Sequence, residues 1–95
     1  MSNYAKGRRR EYRVQQILEQ AGYQTIRAAS SKGVADVIAV AGGHVRFISV
    51  KSGVAYASAV EREALQELAE RSNGYFDVEI WRFPDRCREP LIEVL

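Results

Sequence analysis

Apolar residues recur at helical spacing near the start of the chain and include one acid among them. A helix is predicted over residues 7–20, where the apolar stripe contains Val14, Ile17, Leu18 and Ala21 and Gly22 ends it. Glu11 lies on the same stripe, three residues before Val14. A carboxylate on an apolar face is costly unless it is paired, hydrogen-bonded or bound to a metal. Glu11 is therefore a metal ligand, the ion-pair partner of a neighbouring arginine, or a first-turn acid favoured by the helix dipole.

The remaining pattern predicts a second helix and five strands. The second helix begins at a capping box formed by Ser58 and Glu61 and ends at Asn73-Gly74. Its apolar residues are expected to cover one surface of a sheet, above all Val60, Leu65 and Leu68. Strands are predicted over residues 24–28, 34–40, 44–51, 75–83 and 91–95. This order predicts an α/β fold, with a mixed, twisted five-stranded sheet and helices packed on it.

A Gly-Gly pair between the second and third strands predicts a tight hairpin in which Ala41 faces His44. Counting back along both strands then sets Asp36 opposite Ser49, and Val34 opposite Lys51. Because alternate residues of a strand share a face, an acid, a hydroxyl and an ammonium would project from one patch of the sheet. A shift of one residue in the turn would break this arrangement.

Length and composition are those of one globular domain spanning residues 1–95. The chain is 46% hydrophobic and 27% charged, and no apolar run approaches the roughly 18 residues of a membrane span. Its single cysteine, Cys87, cannot form an internal disulfide. We therefore expect a cytoplasmic protein without a membrane partner.

Positive charge is concentrated at the start of the chain, although the net charge is only +2. Within the first 13 residues, one acid stands against five basic residues: Lys6, Arg8, Arg9, Arg10 and Arg13. Such a cluster is typical of a surface that contacts nucleic-acid phosphates, and equally of a solubilising tail.

Three stretches carry a resemblance to a known family. Together, KGRRREYRVQQILEQAGY, IRAASSKGVADVIAV and VRFISVKSG resemble the archaeal Holliday junction resolvases, a branch of the PD-(D/E)xK nuclease superfamily, over nearly the whole chain. The resemblance implies a restriction-endonuclease-like fold and a Mg²⁺-dependent endodeoxyribonuclease, with Mn²⁺ as the alternative ion. It further implies a homodimer that cuts two strands of a four-way DNA junction in recombination and repair. The host implied by the resemblance is a prokaryotic cell or a virus-infected cell. Exposed aromatics are expected at the dimer contact, from among Tyr56, Tyr75, Phe76 and Trp81.

The same resemblance implies roles for individual residues. Glu11 and Asp36 would bind the metal, helped by the carbonyl of Val50, and Lys51 would be the lysine of the motif. Ser30 or Ser31 would be the loop serine near the scissile phosphate. The residues expected to contact DNA are Lys6, Arg8, Arg9, Arg10, Arg13, Ser31, Lys32 and Ser52. His44, the one histidine, is expected at the surface.

Two positions depart from the family pattern. Ala35-Asp36 replaces the usual Pro-Asp and keeps the ligand, whereas Ser49 stands where the motif has its second acid. A neutral hydroxyl binds Mg²⁺ far less strongly than a carboxylate. Glu11 is the first substitute to consider, with Glu61 or Glu63 of the second helix as alternatives.

Three functional hypotheses follow from these residues. The first is an active junction-resolving nuclease, and the second is a catalytically weakened or inactive protein that binds junctions on the same fold. In the third, a small interaction module without a nucleic-acid role, Asp36 and Lys51 form a structural ion pair.

Overall fold

The computed structural model describes residues 3–28, 35–53 and 56–95, with side chains from residue 8 onward in the first helix. The described residues form two helices and five strands. In chain order these are α1 (Asn3–Gln20), β1 (Gln24–Arg27), β2 (Val37–Ala41), β3 (His44–Ser52), α2 (Ala59–Arg71), β4 (Phe76–Phe83) and β5 (Leu91–Val94). Every predicted element is present, and the largest difference in bounds is at α1, which begins four residues earlier than the apolar pattern indicates.

The strands form one mixed sheet in the order β1-β2-β3-β4-β5. Neighbouring strands are antiparallel except β3 and β4, which are parallel. A parallel pair needs a long crossover connection, and α2 is that connection. The predicted mixed five-stranded α/β sheet is confirmed.

The β2–β3 hairpin has the register that the Gly-Gly pair predicts. Ala41 faces His44, and Gly42 and Gly43 both have positive φ angles (27° and 84°), as a two-residue hairpin turn of this type requires. Asp36 precedes β2, and its backbone N–H donates a 2.8 Å hydrogen bond to the carbonyl of Ile48. Ile48 is also the partner of Val37, so Asp36 and Val37 both face Ile48, and the predicted position of Asp36 opposite Ser49 is wrong by one residue. Val34, predicted opposite Lys51, lies outside the described residues.

The two helices cover opposite faces of the sheet. On the α1 face, the buried core contains Val14, Leu18, Val37, Ala39, Ile48, Trp81 and Phe83. On the α2 face, Leu65 packs with Val78 and Ile80, and the rings of Phe47 and Phe76 meet edge to face at 4.9 Å. Removing these side chains from water is the main stabilising contribution to such a fold.

Two predictions about packing are wrong. Val60 is 78% exposed and does not cover the sheet, because the phase of α2 turns Glu61, Leu65 and Leu68 inward. These three residues are spaced by four and three positions, and Val60 lies one residue before the first of them. Trp81 is 1% exposed and packs in the core under α1, so it is not a surface aromatic at a dimer contact.

No helix in the described part of the chain combines the length and apolar character needed to cross a membrane.

Candidate active site

Asp36 lies at the point where the chain enters β2, with its carboxylate directed along the neighbouring strand. Its Oδ2 accepts a 2.7 Å hydrogen bond from the backbone N–H of Val50. Burial raises the pKa of the Asp36 carboxyl above its usual range, and this effect is partly offset by the hydrogen bond from Val50. The backbone thus anchors one oxygen of a partly desolvated carboxylate.

Ser49 and Lys51 project from β3 on the face covered by α2, because they alternate with the core residues Ile48 and Val50. Ser49 is only 1% exposed. The ammonium of Lys51 forms an ion pair with the carboxylate of Glu61, in the first turn of α2. This contact lowers the pKa of Glu61, so the glutamate stays ionised beside the lysine.

Glu11 approaches the site from α1. Its carboxylate forms a 3.1 Å ion pair with Arg27 of β1, and both side chains are mostly buried. The ion-pair interpretation of Glu11 therefore holds in part, with a partner from the sheet instead of an arginine of its own helix. The pairing leaves Glu11 close enough for its charge to act on Asp36.

Charges from three other segments converge on Asp36. Glu11 and Glu61 raise the pKa of its carboxyl, and Lys51 lowers it. Lys51 follows Val50, which is hydrogen-bonded to Asp36, and it pairs with Glu61. The structure thus brings together the aspartate before β2, the lysine of β3 and Glu61 of α2, while the charge of Glu11 on α1 also acts on Asp36.

This donor set suits one kind of metal ion. Within the described residues, no group of three or more His, Cys, Asp and Glu side chains is arranged to hold a metal. A site of that size would be needed for a cation enclosed entirely by protein. Mg²⁺ instead keeps several waters and is usually held by one or two carboxylates together with substrate phosphates. Asp36 and Glu11 fit that pattern.

Arginines line a groove of about 340 Å³ between α1 and the connection from β4 to β5. Its lining residues are Arg9, Arg10, Arg13, Gln16 and Arg88. The guanidinium of Arg10 stacks over the ring of Phe83 at 5.2 Å, and Phe83 pairs with Ser52 at the end of β3. The groove therefore lies at the same end of the sheet as Lys51.

Lys51 also lines a second groove, of about 320 Å³, on the α2 side of the sheet. Its cationic and aromatic lining includes Arg62, Arg82 and Tyr56, and Arg82 stacks over Tyr56 at 4.6 Å. Sequence reasoning missed the arginines at positions 62, 82 and 88. They are scattered along the chain, and only the fold brings Arg62 and Arg82 into the groove of Lys51 and Arg88 into the groove of the α1 arginines.

The structure describes only some of the other predicted site residues. Ser30, Ser31 and Lys32 lie outside the described residues, as does the side chain of Lys6. Arg8 and Arg9 are exposed on α1. Val50 turns its side chain into the core and offers its amide to Asp36, and no contact of its carbonyl tests the predicted metal ligation.

His44 lies at the opposite end of β3 from Lys51. Its ring nitrogens bond to the hydroxyl of Tyr23 (2.9 Å) and to the carboxylate of Asp77 (2.8 Å). The half-exposed histidine thus joins the starts of β3 and β4 to the end of α1 and is not part of the site.

Comparisons with known proteins agree with this arrangement. The sequence model of the archaeal Holliday junction resolvase (Hjc) family matches residues 2–79. Among solved structures, Archaeoglobus fulgidus Hjc, a Holliday junction resolvase from an archaeal hyperthermophile, is similar, with a TM-score of 0.71 and 26% sequence identity. That similarity covers 95% of this chain and 71% of the other. No curated protein sequence matches. Since the family match spans most of its length, the chain belongs to the archaeal Holliday junction resolvase family.

Proposed function

We propose that this protein is a metal-dependent endonuclease that resolves four-way DNA junctions by hydrolysing phosphodiester bonds. The observation that carries the proposal is the convergence of Glu11, Lys51 and Glu61 on the partly buried carboxylate of Asp36. A perturbed acid with specific charged neighbours is a common property of functional sites. The arginine groove beside it provides a positively charged path for the DNA backbone.

Metal binding and charge stabilisation would be carried out by different side chains. Asp36, held by the Val50 amide, and Glu11 would bind Mg²⁺, or Mn²⁺ in its place, through hard oxygen donors. When bound, such an ion polarises a phosphoryl oxygen and lowers the pKa of a coordinated water. Lys51 presents its ammonium next to Asp36, where it favours the extra negative charge that develops on the phosphate during attack.

DNA binding would rest on the arginines of α1 and on Arg88. Phosphate contacts of this kind position the nucleic acid without reading its sequence, which suits a protein that recognises branch structure. Ser31, Lys32 and Ser52 remain predicted contacts, and Ser30 a predicted neighbour of the scissile phosphate. Ser52 ends β3, one residue beyond Lys51.

We also propose that the active form is a homodimer. A four-way junction has two strands to cut, and two-fold symmetry would present one active site to each. The edge strand β5 supports this proposal, because Leu91, Ile92 and Val94 are all exposed on it. Tyr56 and Tyr75 are further exposed aromatics, whereas Phe76 packs against the α2-side core.

A second candidate function is a junction-binding protein that does not cut. Ser49 favours it, because the motif acid is replaced by a buried neutral hydroxyl. Junction binding would then use the same arginine groove, and Asp36 would no longer bind a metal ion for cleavage.

The test is to incubate the purified protein with a four-way junction and with a duplex of matching sequence, with and without Mg²⁺. Paired nicks near the branch point that need Mg²⁺ support the nuclease. A retarded but intact junction supports the non-cutting binder. No retardation at low salt contradicts both and leaves the interaction module. Light scattering after gel filtration measures the mass of the free protein and tests the homodimer.

A further inference from the structure

The acid that the nuclease motif normally carries two residues before its lysine is missing from β3. Ser49 occupies that place and is almost completely buried. A serine hydroxyl contributes no negative charge. If the site attracts a divalent cation and orients Lys51, the missing negative charge must therefore come from a carboxylate outside β3.

Glu61 reaches the site from α2. It belongs to the inward-facing stripe of this helix, four residues before the buried Leu65. The hydroxyl of Ser58 caps the helix by accepting a hydrogen bond from the Glu61 backbone N–H (3.1 Å). The first turn is thus fixed, and with it the direction in which the Glu61 side chain leaves the helix.

The Glu61 carboxylate forms an ion pair with the ammonium of Lys51, the lysine that the missing acid would accompany. Val50, the residue before Lys51, donates its backbone N–H to the carboxylate of Asp36. Glu61 and Asp36 are thus bonded to consecutive residues of β3, and a second negative charge near a carboxylate favours a divalent cation there. Glu61 also keeps 43% of its side chain exposed, so solvent and ions have access to it.

The other acids are less suited to this role. Glu63 is two residues further along α2, which rotates it by about 200° around the helix axis and away from the sheet. It is exposed. Glu11 is already paired with Arg27 and approaches Asp36 from the other helix.

We propose that Glu61 replaces the missing strand acid of the motif, as a positioning residue that holds Lys51 beside Asp36 and adds the negative charge that draws a divalent cation to that carboxylate. The inference rests on the proposed nuclease function for its catalytic consequence. Its consequence for cation binding stands apart from cleavage.

The experiment compares wild type, Glu61→Gln and the control Glu63→Gln, which removes an equal charge from the same helix on its outer side. Mn²⁺ binding is measured by electron paramagnetic resonance titration, and junction cleavage gives kcat and KM. We expect Glu61→Gln to weaken Mn²⁺ binding and to lower kcat by about 10- to 100-fold each, as loss of a supporting carboxylate typically does. KM for the junction should change little, because Glu61 is negatively charged and pairs with Lys51, so it is not a phosphate-binding residue. Glu63→Gln should match wild type in both assays.

A rescue variant separates this role from a purely structural one. Adding Ser49→Glu to Glu61→Gln returns an acid to the strand and should recover Mn²⁺ affinity and kcat, whereas a packing defect at α2 would remain. Circular dichroism checks that each variant is folded.

Wild-type and Glu61→Gln proteins with equal Mn²⁺ affinity would overturn the inference, whether or not either one cuts. A wild type that fails to cut but binds Mn²⁺ through Glu61 would overturn the nuclease proposal and support this one.

Discussion

The backbone N–H of Val50 donates a 2.7 Å hydrogen bond to the carboxylate of Asp36. The contact crosses from β3 to the start of β2, where the backbone N–H of Asp36 also donates a hydrogen bond to the carbonyl of Ile48. One oxygen of the acid is thereby fixed to the sheet. The carboxylate is pre-positioned at an electrostatic cost, since it is partly buried and close to two other acids.

Asp36→Asn should abolish junction cleavage and, in metal-free buffer, stabilise the fold at about pH 7. The folded-state pKa of Asp36 is raised, chiefly by burial. A raised pKa means that folding favours the protonated carboxyl. The stability contributed by this group is complete below the unfolded-state pKa and is lost as the pH rises through the folded-state value. Asparagine keeps an oxygen for the Val50 amide and carries no charge.

Urea denaturation of both proteins across the pH range, with a chelator present, measures this effect. The stability advantage of Asp36→Asn should be present at about pH 7 and should vanish towards about pH 3, where the wild-type carboxyl is neutral. An Asn variant that is less stable than wild type at neutral pH would show that the charge of Asp36 does not destabilise the fold.

Glu79→Gln should destabilise the protein by about 3 kcal/mol, because it leaves a guanidinium without its counter-charge beneath α1. Arg46 and Glu79 form two hydrogen bonds of 2.7 Å, and Trp81 donates a third to the same carboxylate at 2.9 Å. The pairing raises the pKa of Arg46, so the guanidinium cannot become neutral.

Glu93→Gln provides the matched control, since Glu93 also pairs with an arginine, Arg62, but in an exposed position. Loss of this exposed ion pair should lower the free energy of unfolding by less than about 1 kcal/mol. Denaturation followed by the fluorescence of Trp81 measures both values. Equal losses in the two variants would contradict a special role for the buried pair.

Arg88→Gln should weaken binding to four-way junctions and should reduce the slope of log affinity against log salt by about one. Arg88 faces the arginines of α1 across their groove, so it is placed for a phosphate contact. Arg71→Gln is the control, because Arg71 is exposed in the last turn of α2 and lines neither groove. Fluorescence anisotropy over a salt series gives the slopes, and an unchanged slope for Arg88→Gln would remove that residue from the DNA path.

The sequence predicts those parts of the fold that depend on local chemistry. The glycines of the β2–β3 turn define the register from Ala41 with His44 to Val37 with Ile48, and Ser58 marks the start of α2. The predictions fail where contacts between helices and strands determine which side chains are buried. Val60 fits an apolar stripe, but the phase of α2 leaves it in solvent, and Trp81 is buried because α1 covers that face of β4.

The candidate site is also only partly predicted by the sequence. Motif spacing identifies Glu11, Asp36 and Lys51, and the sequence offers Glu61 and Glu63 as alternative substitutes for the motif acid. Only the contact with Lys51 distinguishes Glu61 from Glu63. Arg88 is an isolated loop residue until the β4–β5 connection places it against α1.

Ser49→Glu should make stability depend on divalent cations. The position is 1% exposed and lies between Ile48 and Val50, which both bond to Asp36, so a glutamate there adds a poorly solvated negative charge to an acidic site. In a chelator we expect a loss of about 2 kcal/mol or more, from burial of the charge and from overpacking. Mg²⁺ that binds only the folded state should recover part of that loss and should increase junction cleavage.

Ser49→Gln has nearly the same size without the charge, so it should lose stability equally with and without Mg²⁺. Denaturation curves of the two variants in chelator and in Mg²⁺ measure the difference, and an equal response to Mg²⁺ would mean that no cation binds beside position 49.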